Sequence, residues 1–212
     1  MHRHDLVWID AQAAWTTLSP HAEPRLRAWV QARLPLVVAR RDPVVDGAQL
    51  RLGVPLPLDE GRQRLSLRID RAAVIRHAPP PRLTEVIDAL SAPWRPALQA
   101  LQQRCTAQDL SARVFGSHAW QAITGLDYLH AGSDLDLLWQ VDGAGQATQV
   151  CRLLQDWEAL HGLRADGELV FDAAHAVNWR EYAGDATRVL VKGDAACWLA
   201  ARECLAGEEL PA

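Results

Sequence analysis

Residues 115–139 read FGSHAWQAITGLDYLHAGSDLDLLW, and the division of this stretch into elements decides the fold. In a strand, residues two apart share a face, so a strand starting at Asp134 points Asp134 and Asp136 the same way. Leu135, Leu137, Leu138 and Trp139 make the run strongly apolar, which suits an internal strand. Two carboxylates at the head of such a strand repel each other unless a cation lies between them. Upstream, ARVFGS reads as a short strand ending in Gly116-Ser117, and HAWQAITGL as a short helix closed by Gly125. A glycine between strand and helix leaves the first amides of the helix unpaired, and the helix dipole favours an anion there. Ser117 reads either as an N-cap or as an added donor to a phosphate. The aspartates read either as exposed edge carboxylates or as ligands of Mg²⁺, which binds one or two carboxylates together with phosphate oxygens. Taken together, the Gly-Ser turn, the helix and the Asp-Leu-Asp strand favour the phosphate and metal reading.

Outward from this block the alternation continues. ALQALQQRC precedes it as a helix, and ATQVCRLLQDWEALHG follows as a helix closed by Gly162. GELVFD, AVNWREY and TRVLVK read as strands, and DAACWLAARECL as a closing helix. The expected fold is α/β (α+β), with a mixed sheet and packed helices in the rear part. Proline-rich breaks at 77–81 and 92–96 punctuate the chain. Ahead of them, LPLVVAR and RLSLRI read as strands and PRLRAWVQARL as a helix, a small α+β unit. The expected domains are 1–80 and 92–207.

At 49% hydrophobic and 23% charged residues, the composition is that of a soluble globular protein. No run is long enough to span a membrane, and the opening MHRHDLVWID lacks an apolar signal segment. The expected location is the cytoplasm, with no membrane partner. Cys105, Cys151, Cys197 and Cys204 show no paired spacing and are expected to be reduced. The net charge of −4 is unevenly placed: residues 1–100 hold 14 Arg against 10 acids, residues 101–212 hold 8 basic against 16 acidic residues. Neither half is basic enough for a nucleic-acid polymer. Of 22 basic residues all but Lys192 are arginine.

After the long helix, DGELVFD offers the further carboxylates Asp166, Glu168 and Asp172. Glu168 is the first choice because it leads the apolar Leu-Val-Phe run. Asp166, on the same face, is the second; either also reads as a turn residue around Gly167. Arg180 and Glu181 read as phosphate-binding and orienting groups or as a structural ion pair. Lys192, after Val-Leu-Val, reads as a phosphate ligand or a surface residue at a strand end. Arg40 and Arg41 read as contacts for phosphates or an acidic protein. His118, beside the Gly-Ser turn, reads as a donor to it or as a helix-start residue without a role.

The Gly116-Ser117 turn, the helix and the Asp134-x-Asp136 strand resemble the nucleotidyltransferase superfamily that includes DNA polymerase β. The block GSHAWQAITGLDYLHAGSDLDLLW, with RHDLVWID, RLPLVVARRD, DGELVF, AVNWREY and LVKG, more closely resembles the phosphoribosyl-dephospho-CoA transferases of the malonate decarboxylase system (holo-acyl-carrier-protein synthases), over nearly the whole chain. That resemblance implies transfer of a 2'-(5''-phosphoribosyl)-3'-dephospho-CoA group from triphosphoribosyl-dephospho-CoA to a serine of the apo acyl carrier subunit, with diphosphate leaving. It implies Asp134 and Asp136 as Mg²⁺ ligands, Gly116 and Ser117 as a phosphate cradle, Glu168 as a catalytic carboxylate, and Arg180 and Lys192 as donor-binding groups. The front unit would then bind donor or carrier, with Arg25, Arg27 and Arg33 meeting an acidic carrier. The alternatives are an ATP-dependent adenylyltransferase, separated by donor preference, and a silent nucleotide- or carrier-binding module, which has no need of the paired Asp134 and Asp136.

Overall fold

RLSLRI buries Leu65, Leu67 and Ile69 on one face and leaves Arg64 in solvent, the period-two pattern of a half-buried strand. In the computed structural model, which describes residues 1–90, 93–172 and 175–206, this run is one strand of an antiparallel sheet. Contacts divide the chain into two units. The first holds Met1–Pro80 with Leu126–Tyr128 and Asp194–Ala196. Its elements are β1 (Leu6–Ile9), β2 (Trp15–Thr17), α1 (Glu23–Gln31), β3 (Leu36–Val38), α2 (Pro43–Asp46), β4 (Leu50–Pro55), β5 (Arg64–Ile69) and β6 (Val74–Ala78). The strands pair antiparallel in the order β2-β5-β4-β3-β1-β6. Helix α1 starts with Glu23 and Pro24, favourable at an N-terminus, and buries Leu26, Trp29 and Val30. The Trp29 indole donates to the Pro35 carbonyl at 2.8 Å, so this large core residue leaves no buried donor unpaired.

The second unit holds Pro81–Gly125, Leu129–Gly193 and the chain from Cys197. Its elements are α3 (Leu83–Ala89), α4 (Arg95–Ala107), β7 (Ala112–Phe115), α5 (Gly116–Thr124), β8 (Leu135–Gln140), α6 (Ala144–His161), β9 (Ala165–Phe171), β10 (His175–Asn178), α7 (Trp179–Ala183), β11 (Arg188–Lys192) and β12 (Cys197–Ala201). A 3₁₀ turn, Arg202–Ala206, follows. The sheet order is β7-β8-β9-β10-β11-β12, with β8 and β9 parallel and the other neighbours antiparallel. Together the units make the mixed α/β fold expected. Strand β8 is internal, flanked by β7 and β9, and Leu135, Leu137 and Trp139 enter the core beside Leu154 and Trp157 of α6. Ala92 and Gly207, the expected limits of the rear domain, lie outside the described residues. Among the described residues no helix is long and apolar enough to cross a membrane. All four cysteines are free; Cys105 and Cys151 are buried, and burial raises their thiols to about 12 and about 11.

Two elements differ from expectation. AVNWREY stays a strand only as far as Asn178, whose side chain accepts from the amides of Arg180 and Glu181 at 2.9 and 3.4 Å. That cap starts α7 and overrides the β propensity of Trp and Tyr. The Ala-rich CWLAA is strand β12 rather than helix, paired with β11 from Arg188 opposite Ala201 to Lys192 opposite Cys197. Pairing satisfies the outer backbone of β11, and a weak local helix preference yields to it.

Candidate functional site

The register of β7 on β8 sets Phe115 opposite Asp136, so the turn after β7 meets the Asp136 side chain. Gly116 occupies φ +64°, and a Cβ there would lie 1.8 Å from Asp136 Oδ2. Only glycine accepts both this conformation and this approach. The Asp136 carboxylate therefore rests against the first turn of α5, where helix amides and dipole favour negative charge. Ser117 is half-buried in that turn.

Asp134 stands one residue before β8, at the end of a preset turn. In it the His130 amide donates to Ser133 Oγ at 3.0 Å and the Gly132 amide to His130 Nδ1 at 3.1 Å. Arg164 Nε reaches Asp134 Oδ2 at 3.3 Å with both side chains substantially exposed, a pair that contributes little and yields readily to a stronger ligand.

The third acid depends on β9, which begins at Ala165, so Asp166, Gly167 and Glu168 are strand residues and not a turn. Parallel register sets Asp166 beside Asp136 and Glu168 beside Leu138. Asp166 Oδ1 accepts from the Gly167 amide and from Asn178 Nδ2, both at 2.8 Å. Glu168 is buried and bound by Lys192 Nζ at 3.0 Å. Both acids share the face of Asp136, with Asp166 adjacent to it and Glu168 one pair further along, about 7 Å by strand rise. Gly167, φ +137°, makes this closeness possible: a Cβ would lie 1.9 Å from the Leu137 carbonyl oxygen.

Arg180 is engaged within the fold. Its guanidinium donates to the Glu158 carboxylate and, at 2.9 Å, to the Ala165 carbonyl, and lies 4.4 Å over the Trp179 ring. Glu181 accepts from the Leu190 amide at 2.7 Å. Both residues tie α7 to its neighbours.

Two groups carried more than their sequence context indicated. Asn178 both caps α7 and steadies Asp166; its place before Trp-Arg-Glu was the available signal. His118 is fully buried, with neither ring nitrogen in a hydrogen bond. Its ring meets Trp94 edge-on at 4.7 Å. Burial lowers its pKa to about 4, opposed by the main chain of Asp134, so it is neutral at pH 7.

Asp134, Asp136 and Asp166 present hard oxygen donors at one end of β8 and β9. Among the described residues no three His, Cys, Asp or Glu side chains form a metal-binding group. The donors fit an ion that brings phosphate oxygens as its remaining ligands, as Mg²⁺ does.

Comparison with known proteins agrees over both units. Residues 82–203 match the family model of the phosphoribosyl-dephospho-CoA transferase MdcG C-terminal domain, and residues 2–80 match the N-terminal domain of the same family. A phosphoribosyl-dephospho-CoA transferase of Xanthomonas campestris pv. campestris (strain 8004) is 50% identical over 210 residues, 99% of each chain. The Bradyrhizobium diazoefficiens protein of that name is 35% identical over 198 residues, covering 90% of this chain and 85% of its own. No solved structure matches.

Proposed function

Since this chain belongs to the phosphoribosyl-dephospho-CoA transferase family and is a transferase, we propose that it moves the 2'-(5''-phosphoribosyl)-3'-dephospho-CoA group from its triphosphate donor to a serine of the acyl carrier subunit of malonate decarboxylase, in the cytoplasm. The observation that carries the chemistry is the Asp136 carboxylate seated on Gly116 at the α5 N-terminus, with Asp166 beside it. The serine oxygen bonds to the α-phosphorus, the bond from that phosphorus to the diphosphate oxygen breaks, and the serine proton passes to a carboxylate. We assign that base to Asp166, the register neighbour of Asp136, in place of Glu168. Glu168 holds Lys192 on the same face, where the ammonium meets phosphate charge. The Gly116-Ser117 turn offers its amides and hydroxyl to the donor phosphates. A Mg²⁺ ion held by Asp134 and Asp136 would offset the charge that develops on the departing diphosphate. This reading treats the Gly116-Ser117 turn and the Asp134-x-Asp136 strand as the phosphate and metal sites of a polymerase-β-like nucleotidyltransferase. Arg180 is given no part, because its partners lie within the fold.

The test is to incubate the protein with Mg²⁺, triphosphoribosyl-dephospho-CoA and the apo carrier subunit, then weigh the carrier by intact-protein mass spectrometry. The expected result is a gain equal to the transferred group, lost in Asp134→Ala and Asp136→Ala. An adenylyl adduct formed from ATP instead would indicate an adenylyltransferase. No adduct from either donor would leave a binding module.

A further inference from the structure

Segment 40–46 of the first unit displays two apolar side chains in solvent and holds them rigidly. Val44 is 94% exposed and Val45 52%. They sit on α2, a single turn pinned from every side. Asp42 Oδ1 accepts from the amides of Val44 and Val45 at 3.0 and 3.2 Å. The Asp42 amide donates back to Asp46 Oδ2 at 2.7 Å, and Arg68 Nη1 donates to the Val45 carbonyl at 2.5 Å. Beneath the turn Asp46 is buried and held by Arg51, with Nη2 to Oδ1 at 2.9 Å and Nε to Oδ2 at 3.0 Å. A buried carboxylate is costly unless paired, and here the half-buried Arg51 pairs Asp46 beneath a turn whose two valines face solvent. Isolated exposed valines are ordinary; an adjacent pair on a turn anchored by a buried, Arg-paired carboxylate is not.

The charge beside the tip is positive. Arg40 is exposed and Arg41 half-buried, and neither side chain has an ion-pair partner among the described residues. By contrast Arg25 binds Glu60 and Arg27 binds Glu23, so two of the three arginines expected to meet an acidic carrier are already neutralised. Asp42, the acid of the tip, has its side chain committed to the cap.

We infer that the Val44-Val45 turn flanked by Arg40 and Arg41 is the docking surface for the carrier protein: a small acidic domain presenting an apolar residue among carboxylates. This rests on the proposed transfer to a carrier. Because the turn is ordered before binding, docking carries little ordering cost.

The test compares Arg40→Glu/Arg41→Glu and Val44→Ser/Val45→Ser with the unaltered protein, after circular dichroism shows the fold intact. The expected result is a KM for the apo carrier raised about tenfold or more in each, with kcat and KM for the donor within about twofold. The arginine effect should shrink at high salt and the valine effect should not. An unchanged carrier KM in both variants overturns the inference. If the unaltered protein transfers nothing, the same variants are compared by fluorescence anisotropy of a labelled apo carrier. Binding lost in both keeps the docking surface while the proposed transfer fails; binding equal in all, or absent in all, overturns it.

Discussion

His118 shows what one buried side chain asks of the protein around it. Its imidazole is enclosed, lacks a hydrogen-bond partner and is lowered to about 4, against about 6.5 in an unfolded chain. Between those values the unfolded chain binds a proton that the native chain excludes. The contribution is therefore fully present above pH 6.5 and is lost as pH falls toward 4. In metal-free buffer, urea unfolding at pH 7 and pH 5 should show a loss of about 2 kcal/mol from this residue. His118→Phe, which keeps a ring edge for Trp94, should remove that increment; equal pH dependence in the two proteins would refute it. The sequence placed His118 beside the Gly-Ser turn but did not reveal its burial. Burial follows from the packing of Trp94 and the Asp134 loop around it, and those residues lie far apart in the chain.

Gly116 and Gly167 make opposite demands on their elements. At Gly116 a methyl group meets a carboxylate that can swing aside; at Gly167 it meets the backbone of β8. Gly116→Ala should thus fold with stability within about 2 kcal/mol of the native protein while losing most transfer activity. Gly167→Ala must part β8 from β9 and should cost about 4 kcal/mol or more, or fail to fold. Thermal melts with the carrier-mass assay distinguish the two; equal melting temperatures would contradict the account. Legibility varied from element to element for physical reasons. RLSLRI coincides with β5, because alternation and burial agree there. The strand read from Asp134 begins one residue later, at Leu135, so Asp134 stands just ahead of β8 and Asp136 within it. NWREY misled because Asn178, the last paired residue of β10, also caps a helix, and CWLAA because its helical composition yields to the edge of β11. The choice between Glu168 and Asp166 rests on the register of two parallel strands, which no single strand's pattern encodes.

Across the whole molecule, both units carry a six-stranded sheet, yet only the rear unit announced its alternation of helices and strands. There, alternating helices and strands leave few ways to order a sheet. In the front unit, short strands and a one-turn helix offered weak periodicity, and β1, β2, β4 and α2 gave little signal. The positive balance of the front half was legible from composition. Which arginines remain unpaired was not, because pairing such as Arg25 with Glu60 is decided by folding.

The ion pair between Lys192 and Glu168 has a consequence for covalent chemistry. The chain carries one lysine, so an acylating reagent finds a single ε-amine, half-buried and engaged by a carboxylate. Peptide mapping after limited acylation should show the N-terminal amine modified first and Lys192 slowly, with Glu168→Gln accelerating only the latter. Equal rates at Lys192 in the two proteins would refute the pairing. A triphosphate bound at this face would shield the same amine, so the protein carries its own occupancy reporter at one natural position.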